Sequence, residues 1–217
     1  MTDRIAWLGL TGVVVYAALA FGLRSLVQLR RTGSSGFHGV SGPVGSVEWW
    51  GGALFSVAAL LAILAPVLQL AGWTAPLEVL DRAPFGAIGA VLLLAGLVGT
   101  LHAQFAMGDS WRIGVDPSER TALVVRGPYR LVRNPIYTTM FAAVGGLALL
   151  IPNLVALAAF GLLLVAIEIQ VRFVEEPHLR SVHGHRYRDY CRRVGRFLPR
   201  VGVDRPARAG SMGAGGG

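Results

Sequence analysis

Lysine is missing from this chain: all 20 basic residues are arginine. With an abundance of alanine, glycine and valine, that bias points to a GC-rich, bacterial genome. Cysteine is almost missing too, and Cys191 alone excludes an intramolecular disulfide framework and a multi-cysteine metal site. Charge is scarce: 15% of residues are charged, against ~25% in ordinary soluble domains. An ordinary soluble domain is excluded. What charge remains is lopsided, at a net +8. No nucleic-acid motif accompanies the arginines, so no nucleic-acid partner is expected; a basic rim meeting anionic lipid is the usual source of such a bias in a membrane protein. His178, His183 and His185 lack the spacing of a strong metal site, and no metal is expected. No internal repeat is evident.

What is present is apolar sequence in blocks. Residues 5–27, 47–71 and 84–106 each have the roughly 20 apolar residues that a bilayer crossing takes. Residues 136–151 and 154–167 form a pair split by Pro152-Asn153. The first of that pair is short: sixteen residues give about 24 Å, against a hydrocarbon core of ~30 Å. It either crosses a locally thinned bilayer or turns back with its successor as a re-entrant hairpin. The expected fold is therefore all-α: a polytopic integral membrane helical bundle of about five transmembrane helices, the last two a short hairpin. Ala18-Leu19-Ala20 resembles a signal-peptidase site, but the apolar run continues to Arg24, so the first helix is expected to be retained.

Arginine placement sets the expected orientation. The first loop carries Arg24, Arg30 and Arg31, the third carries Arg112, Arg120, Arg126, Arg130 and Arg133, and the tail from Arg172 is dense in arginine. Those three regions are expected on the cytoplasmic side of a bacterial inner membrane, with the N-terminus outside. Residues 1–106 then form three N-terminal helices with their loops, 107–200 a functional region, and 201–217 a flexible tail.

Three polar stretches carry the candidate chemistry. The first, "MGDSWRIGVDPSERTALVVRGPYRLVRNPIY", is punctuated by Gly114, Pro117 and Gly127-Pro128, with an extended piece expected over Thr121–Val125. Asn134 precedes a proline and is biased away from helix, leaving backbone groups there to bind a ligand. A plain interfacial belt of Trp, Tyr and Arg explains the aromatics but not the Gly/Pro density. In the second, "AIEIQVRFVEEPHL", Glu168, Arg172, Glu175 and Glu176 fall at i, i+4, i+7 and i+8, on one expected helix face. Ionisable groups so near an apolar zone are costly and tend to be functional. The third, "SVHGHRYRDYCRRVGRFLP", reads as a cytoplasmic, interfacial amphipathic helix with Leu179, Val182, Tyr187, Tyr190 and Val194 on one face, bent at Gly184.

Taken in order, these stretches resemble the isoprenylcysteine carboxyl methyltransferase family, part of a wider group with the phospholipid methyltransferases. Gly127, Tyr129, Arg133, Pro135, Tyr137, Glu175, Glu176, Gly184, Tyr187, Tyr190, Arg196 and Pro199 match the family pattern. Asn134 stands where that family usually has histidine; it keeps a hydrogen-bonding side chain without a proton-transfer role. The resemblance implies S-adenosylmethionine bound at the cytoplasmic face by Thr121, Ala122, Leu123, Val124, Tyr129, Asn134, Pro135, Ile136, Tyr137 and Glu176. It implies Arg133, Tyr137, Arg172 and Glu175 as catalytic residues, and O-methylation of a carboxylate on a lipophilic or prenylated acceptor drawn from the membrane lipid phase. An NADPH-dependent isoprenoid or steroid reductase of similar architecture is the alternative enzyme, and a scaffold or small transporter the non-enzymatic one.

Overall fold

The computed structural model describes residues 2–36, 39–112 and 122–204. Seven α-helices span most of them: α1 (Thr2–Ala17), α2 (Arg24–Thr32), α3 (Val47–Leu70), α4 (Ala83–Met107), α5 (Pro135–Leu150), α6 (Leu154–Ile169) and α7 (Glu176–Arg193). Among the described residues there is no sheet, only a single bridge between Val132 and Gly195. A wide π-helical turn, Ala18–Leu23, joins α1 to α2 as one rod, and another, Gln170–Glu175, joins α6 to α7. Four of the resulting rods are long and apolar enough to cross a membrane, with α5 as a shorter apolar helix beside them. The all-α membrane bundle expected from the apolar blocks is what forms.

Local chemistry sets the helix limits. Ser46 caps α3 by accepting the Trp49 N–H at 3.1 Å, and Asn153 caps α6 by accepting the Ala156 N–H at 2.9 Å. Proline opens both α4 and α5, where its missing N–H costs nothing. Gly33, at φ 76°, closes α2 in the left-handed conformation. Outward faces stay apolar: Val91, Leu94 and Val98 of α4 are all at least 60% exposed. In water such a stripe would drive aggregation; in a bilayer it is the lipid face.

The α4–α5 seam is the tightest in the bundle. A Cβ on Gly96 would lie 2.5 Å from the Ala143 nitrogen, and one on Gly146 would lie 2.5 Å from that of Leu93. The two backbones are therefore in direct contact, which only small residues allow. A hydroxyl chain, Tyr16 to Thr100 to Thr139 with both steps 2.9 Å, stitches α1, α4 and α5 together within the apolar zone.

That seam also explains how sixteen residues serve as a membrane helix. Gly89 lies against Leu150, the last residue of α5, so α5 stops about 9 Å short of the start of α4. The loop after α3 fills the gap: the Leu77 N–H donates to the Pro152 carbonyl at 2.7 Å. Asn153 is fully buried beneath it, donating to the Ala65 carbonyl and to Gln69. The α5–α6 turn thus lies at the same end as the loop after α3. The loops after α2 and α4, with the C-terminal segment, share the opposite end, called here the site end.

Two expectations are corrected. The apolar face of α7 does not lie on lipid: Tyr187, Tyr190 and Cys191 are buried against Leu123, Leu179 and Val194. Residues 201–204, expected in the flexible tail, are tied in instead, with the Asp204 N–H on the Cys191 carbonyl and its carboxylate on Arg180 at 2.9 Å. The bend at Gly184 is present, at φ 54° and ψ −123°.

Replacing Gly96 with leucine forces the α4–α5 seam apart. The expected loss is about 1–3 kcal/mol or more, read as a lowered unfolding midpoint in detergent. Gly161→Leu is the matched control, since nothing lies within 4 Å of a Cβ there, and should leave the midpoint unchanged.

Candidate active site

The site end is assembled on one buried carboxylate. Glu176 accepts from Arg133 Nη2 at 2.8 Å and from Arg196 Nε and Nη2 at 2.7 and 3.0 Å. The other Arg133 donations go to the carbonyls of Cys191, Val194 and Gly202 at 3.1–3.2 Å. The backbones follow the side chains. The Arg133 N–H donates to the Gly195 carbonyl at 2.8 Å, and the Asn134 N–H to that of Arg196 at 3.1 Å. The Thr138 hydroxyl reaches the Phe197 carbonyl at 2.8 Å. The start of α5 is thereby sewn to the segment after α7. Hydrogen bonding to Glu176 raises the Arg196 pKa above its ordinary value, so the clamp stays charged.

Above the clamp lies a cavity of about 730 Å³. Its polar floor is set by Tyr137, whose hydroxyl donates to Glu175 Oε1 at 2.5 Å. The Gln170 side chain also hydrogen-bonds Glu175. Tyr129 adds a ring held from behind, its carbonyl accepting the Tyr190 hydroxyl at 2.5 Å. Burial pushes the Tyr129 phenol well above its usual range, so it stays neutral. On the far wall stands Trp111, with the Arg24 guanidinium 4.4 Å from its ring centroid. Arg24 in turn donates to the Gly108 carbonyl at 2.6 Å, which docks α2 onto the end of α4. An apolar arm leads away from the polar floor between Phe55 and Ala59 of α3, Met140 of α5 and Ile167 of α6. Gly51 and Gly52 let α3 approach closely there: a Cβ on Gly51 would be 3.1 Å from Gln170 Oε1, and one on Gly52 3.0 Å from Val40.

Most of the expected site residues meet at this cavity. Ala122, Leu123, Val124 and Tyr129 form one wall; Arg133, Asn134, Pro135, Ile136, Tyr137 and Glu175 form the adjoining one. Thr121 lies outside the described residues. Glu176 does not face the cavity, because its carboxylate is consumed by the two arginines behind it. Arg172 is not brought to the site either. It is half-exposed and pairs with Glu168 on the outside of the helix. The physical reason is the wide turn Gln170–Glu175, which breaks the i, i+4, i+7 register. The single charged stripe splits in two: Glu168 and Arg172 point out, while Glu175 and Glu176 point in.

Several lining residues escaped the sequence reading: Glu48, Phe55, Gln104, Trp111, Arg112 and Gln170. Three of these had a visible signal. Trp111 and Arg112 open the punctuated third loop, and Glu48 is the lone acid at the head of an apolar block. Gln104 had none; it donates at 2.9 Å to the Ala20 carbonyl in the first wide turn.

Glu176→Gln leaves two arginines without their counter-charge, one of them almost fully buried. The expected cost is about 3–5 kcal/mol, seen as a collapse of folded yield and unfolding midpoint. Arg172→Ala, on an exposed pair, should shift the same midpoint by less than about 1 kcal/mol.

Comparison with known proteins finds two similarities. A curated relative, the nickel-cobalt-cadmium resistance protein NccN of Alcaligenes xylosoxydans xylosoxydans, is 32% identical over 119 residues, which is 54% of each chain. The chain thus spans about half the length of that relative. Residues 85–186 match the family model described as phospholipid methyltransferase. The matched segment runs from the first turn of α4 to the second half of α7, and over it the chain is similar to the membrane methyltransferase group.

Proposed function

We propose that the protein is an integral membrane methyltransferase that uses S-adenosylmethionine and acts on a lipophilic acceptor. One observation carries this reading: a single cavity joins a polar floor at Glu175 and Tyr137 to an apolar arm between α3, α5 and α6. A soluble, charged donor suits the first part and a lipid-borne acceptor the second. The match of residues 85–186 to the phospholipid methyltransferase family model supports it.

The residues present fit such a donor. Its cationic sulfonium suits the faces of Tyr129, Tyr137 and Trp111, and the Glu175 carboxyl supplies a hydrogen-bonded acidic group beside them. Arg133 lines the cavity and keeps one buried N–H, at Nε, without a partner. That N–H is a donor for a carboxylate such as the amino-acid end carries. When bound, S-adenosylmethionine supplies an electrophilic methyl group.

The chain's own part is positioning, which in an in-line transfer supplies much of the rate. Tyr137 donates to Glu175 and so fixes the carboxyl's orientation; Gln170 holds it from the other side. Trp111, braced by Arg24, closes the wall and keeps water from the floor. A carboxylate acceptor is ionised at neutral pH and needs no base, so O-methylation is the first reaction to test. A lipid amine is the second, with Glu175 placed to take its proton. The loop arginines support a cytoplasmic position for this end under the positive-inside rule. NccN is named for nickel, cobalt and cadmium resistance, but among the described residues no three His, Cys, Asp or Glu side chains converge.

Calorimetric titration of purified protein with S-adenosylmethionine and with NADPH is the decisive measurement. Heat from the first alone supports this reading; heat from NADPH alone favours a reductase, and neither favours a non-enzymatic role. With methyl-labelled cofactor and membranes, Tyr137→Phe and Glu175→Ala should each lower lipid labelling by about 10²-fold or more, with membrane insertion unchanged. Full labelling in both variants removes the site assignment.

A further inference from the structure

A second cavity, of about 470 Å³, opens on the outer side of the wall formed by residues 123–130. Its rim carries Arg130, His185, Arg186 and Arg193, against one acid, Asp189. That acid is already engaged, 3.5 Å from Arg192. Among the described residues neither Arg130 nor Arg186 has an ion-pair partner. Arg193 donates only to a backbone carbonyl, that of Asp189. Like charges crowded at one concave site repel one another, and an anion seated among them relieves the repulsion.

Two features show that this rim is built. Gly184 sits at φ 54°, a conformation other residues rarely adopt, and nothing lies within 4 Å of a Cβ built on it. The glycine is thus required for its backbone angle, not for space, and the bend it makes turns residues 185–193 back onto the 123–130 wall. The depth is also set. Arg130 is followed by Leu131, which is 65% exposed, and Leu198 and Val201 nearby along the fold are each 58% exposed. Five residues after Arg130 the membrane helix α5 begins. Such a sequence of exposed apolar and basic groups matches the headgroup layer of a bilayer.

We propose that this second cavity binds a phosphate-bearing anion, either the headgroup of an acidic membrane lipid or free phosphate. It stands apart from methyl transfer and does not depend on it. Its occupant would nonetheless be felt at the first cavity. Leu123 and Tyr190 line both, and the Tyr190 hydroxyl holds the Tyr129 carbonyl. An anion bridging Arg130 to Arg186 and Arg193 locks α7 against the wall that carries Tyr129.

The test is a titration of the purified full chain in a neutral detergent with short-chain phosphatidylglycerol, short-chain phosphatidylcholine and inorganic phosphate. Saturable binding of phosphatidylglycerol but not phosphatidylcholine is expected. It should weaken by about tenfold or more in the Arg130→Gln, Arg186→Gln, Arg193→Gln triple variant, and tighten in Asp189→Asn. Inorganic phosphate binding with the same variant pattern assigns the site to a soluble anion instead. If the triple variant does not purify, Arg186→Gln alone should weaken binding in the same direction. Absence of binding by either phosphate source, or affinity indifferent to these substitutions, overturns the proposal.

Discussion

The carboxylate of Glu176 is the group on which the site end depends. It is taken out of water and hydrogen-bonded by two guanidinium groups, with that of Arg180 3.8 Å away, and carbonyls from three further residues take the remaining Nη donations of Arg133. Desolvating charges in this way stabilises little by itself, and many such clusters can be replaced by apolar packing. What it contributes here is geometry. Residues far apart in the chain, 133, 176 and 196, have one arrangement in which every charge is answered. In that arrangement the strand-like segment before α5 lies alongside the segment after α7, and a cavity is left above them.

Two wide turns shape that cavity from opposite sides. The first, in the rod made by α1 and α2, presents the Ala20 carbonyl to Gln104 and brings Phe21 to the wall. The second, between α6 and α7, turns Glu175 inward while its neighbour Glu176 faces the clamp. A regular α-helix through 168–176 would have kept all four charged residues on one side, and the acid now facing Tyr137 would have shared its face with Arg172. Breaks of this kind in helical hydrogen bonding often coincide with functional sites.

Much of the fold was legible because lipid imposes a simple rule. Blocks of about twenty apolar residues, separated by arginine-bearing loops, leave few arrangements open, and the bundle follows them. The order of Tyr129, Arg133, Pro135, Tyr137 and Glu175 also led to a set that does meet at one cavity. Where the reading failed, it failed on register and on partners. The resemblance implies a site role for Arg172, and α-helical counting puts it on the face of Glu175, a register that the wide turn invalidates. The resemblance implies Glu176 as a ligand-binding acid, although its partner Arg196 lies in a segment that periodicity cannot relate to it. The apolar face of α7 reads as membrane-facing from sequence because a buried face and a lipid-facing one carry the same pattern. Gln104 and Phe55 were invisible for a plainer reason: a residue in the middle of an apolar block shows no direction until its neighbours are known.

The glycine seam between α4 and α5 has a consequence for how such a scaffold can diversify. With two backbones in contact, the α4–α5 pair that carries Gln104 and Tyr137 to the cavity has almost no tolerance for drift, and it falls within the stretch that matches the phospholipid methyltransferase family model. The opposing wall, from Val40 through Ala59, lies outside that stretch and is built from a loop and a glycine-softened helix. The stretch that resembles the family model thus carries the rigid seam, while the wall beside the apolar arm is contributed by residues outside that match.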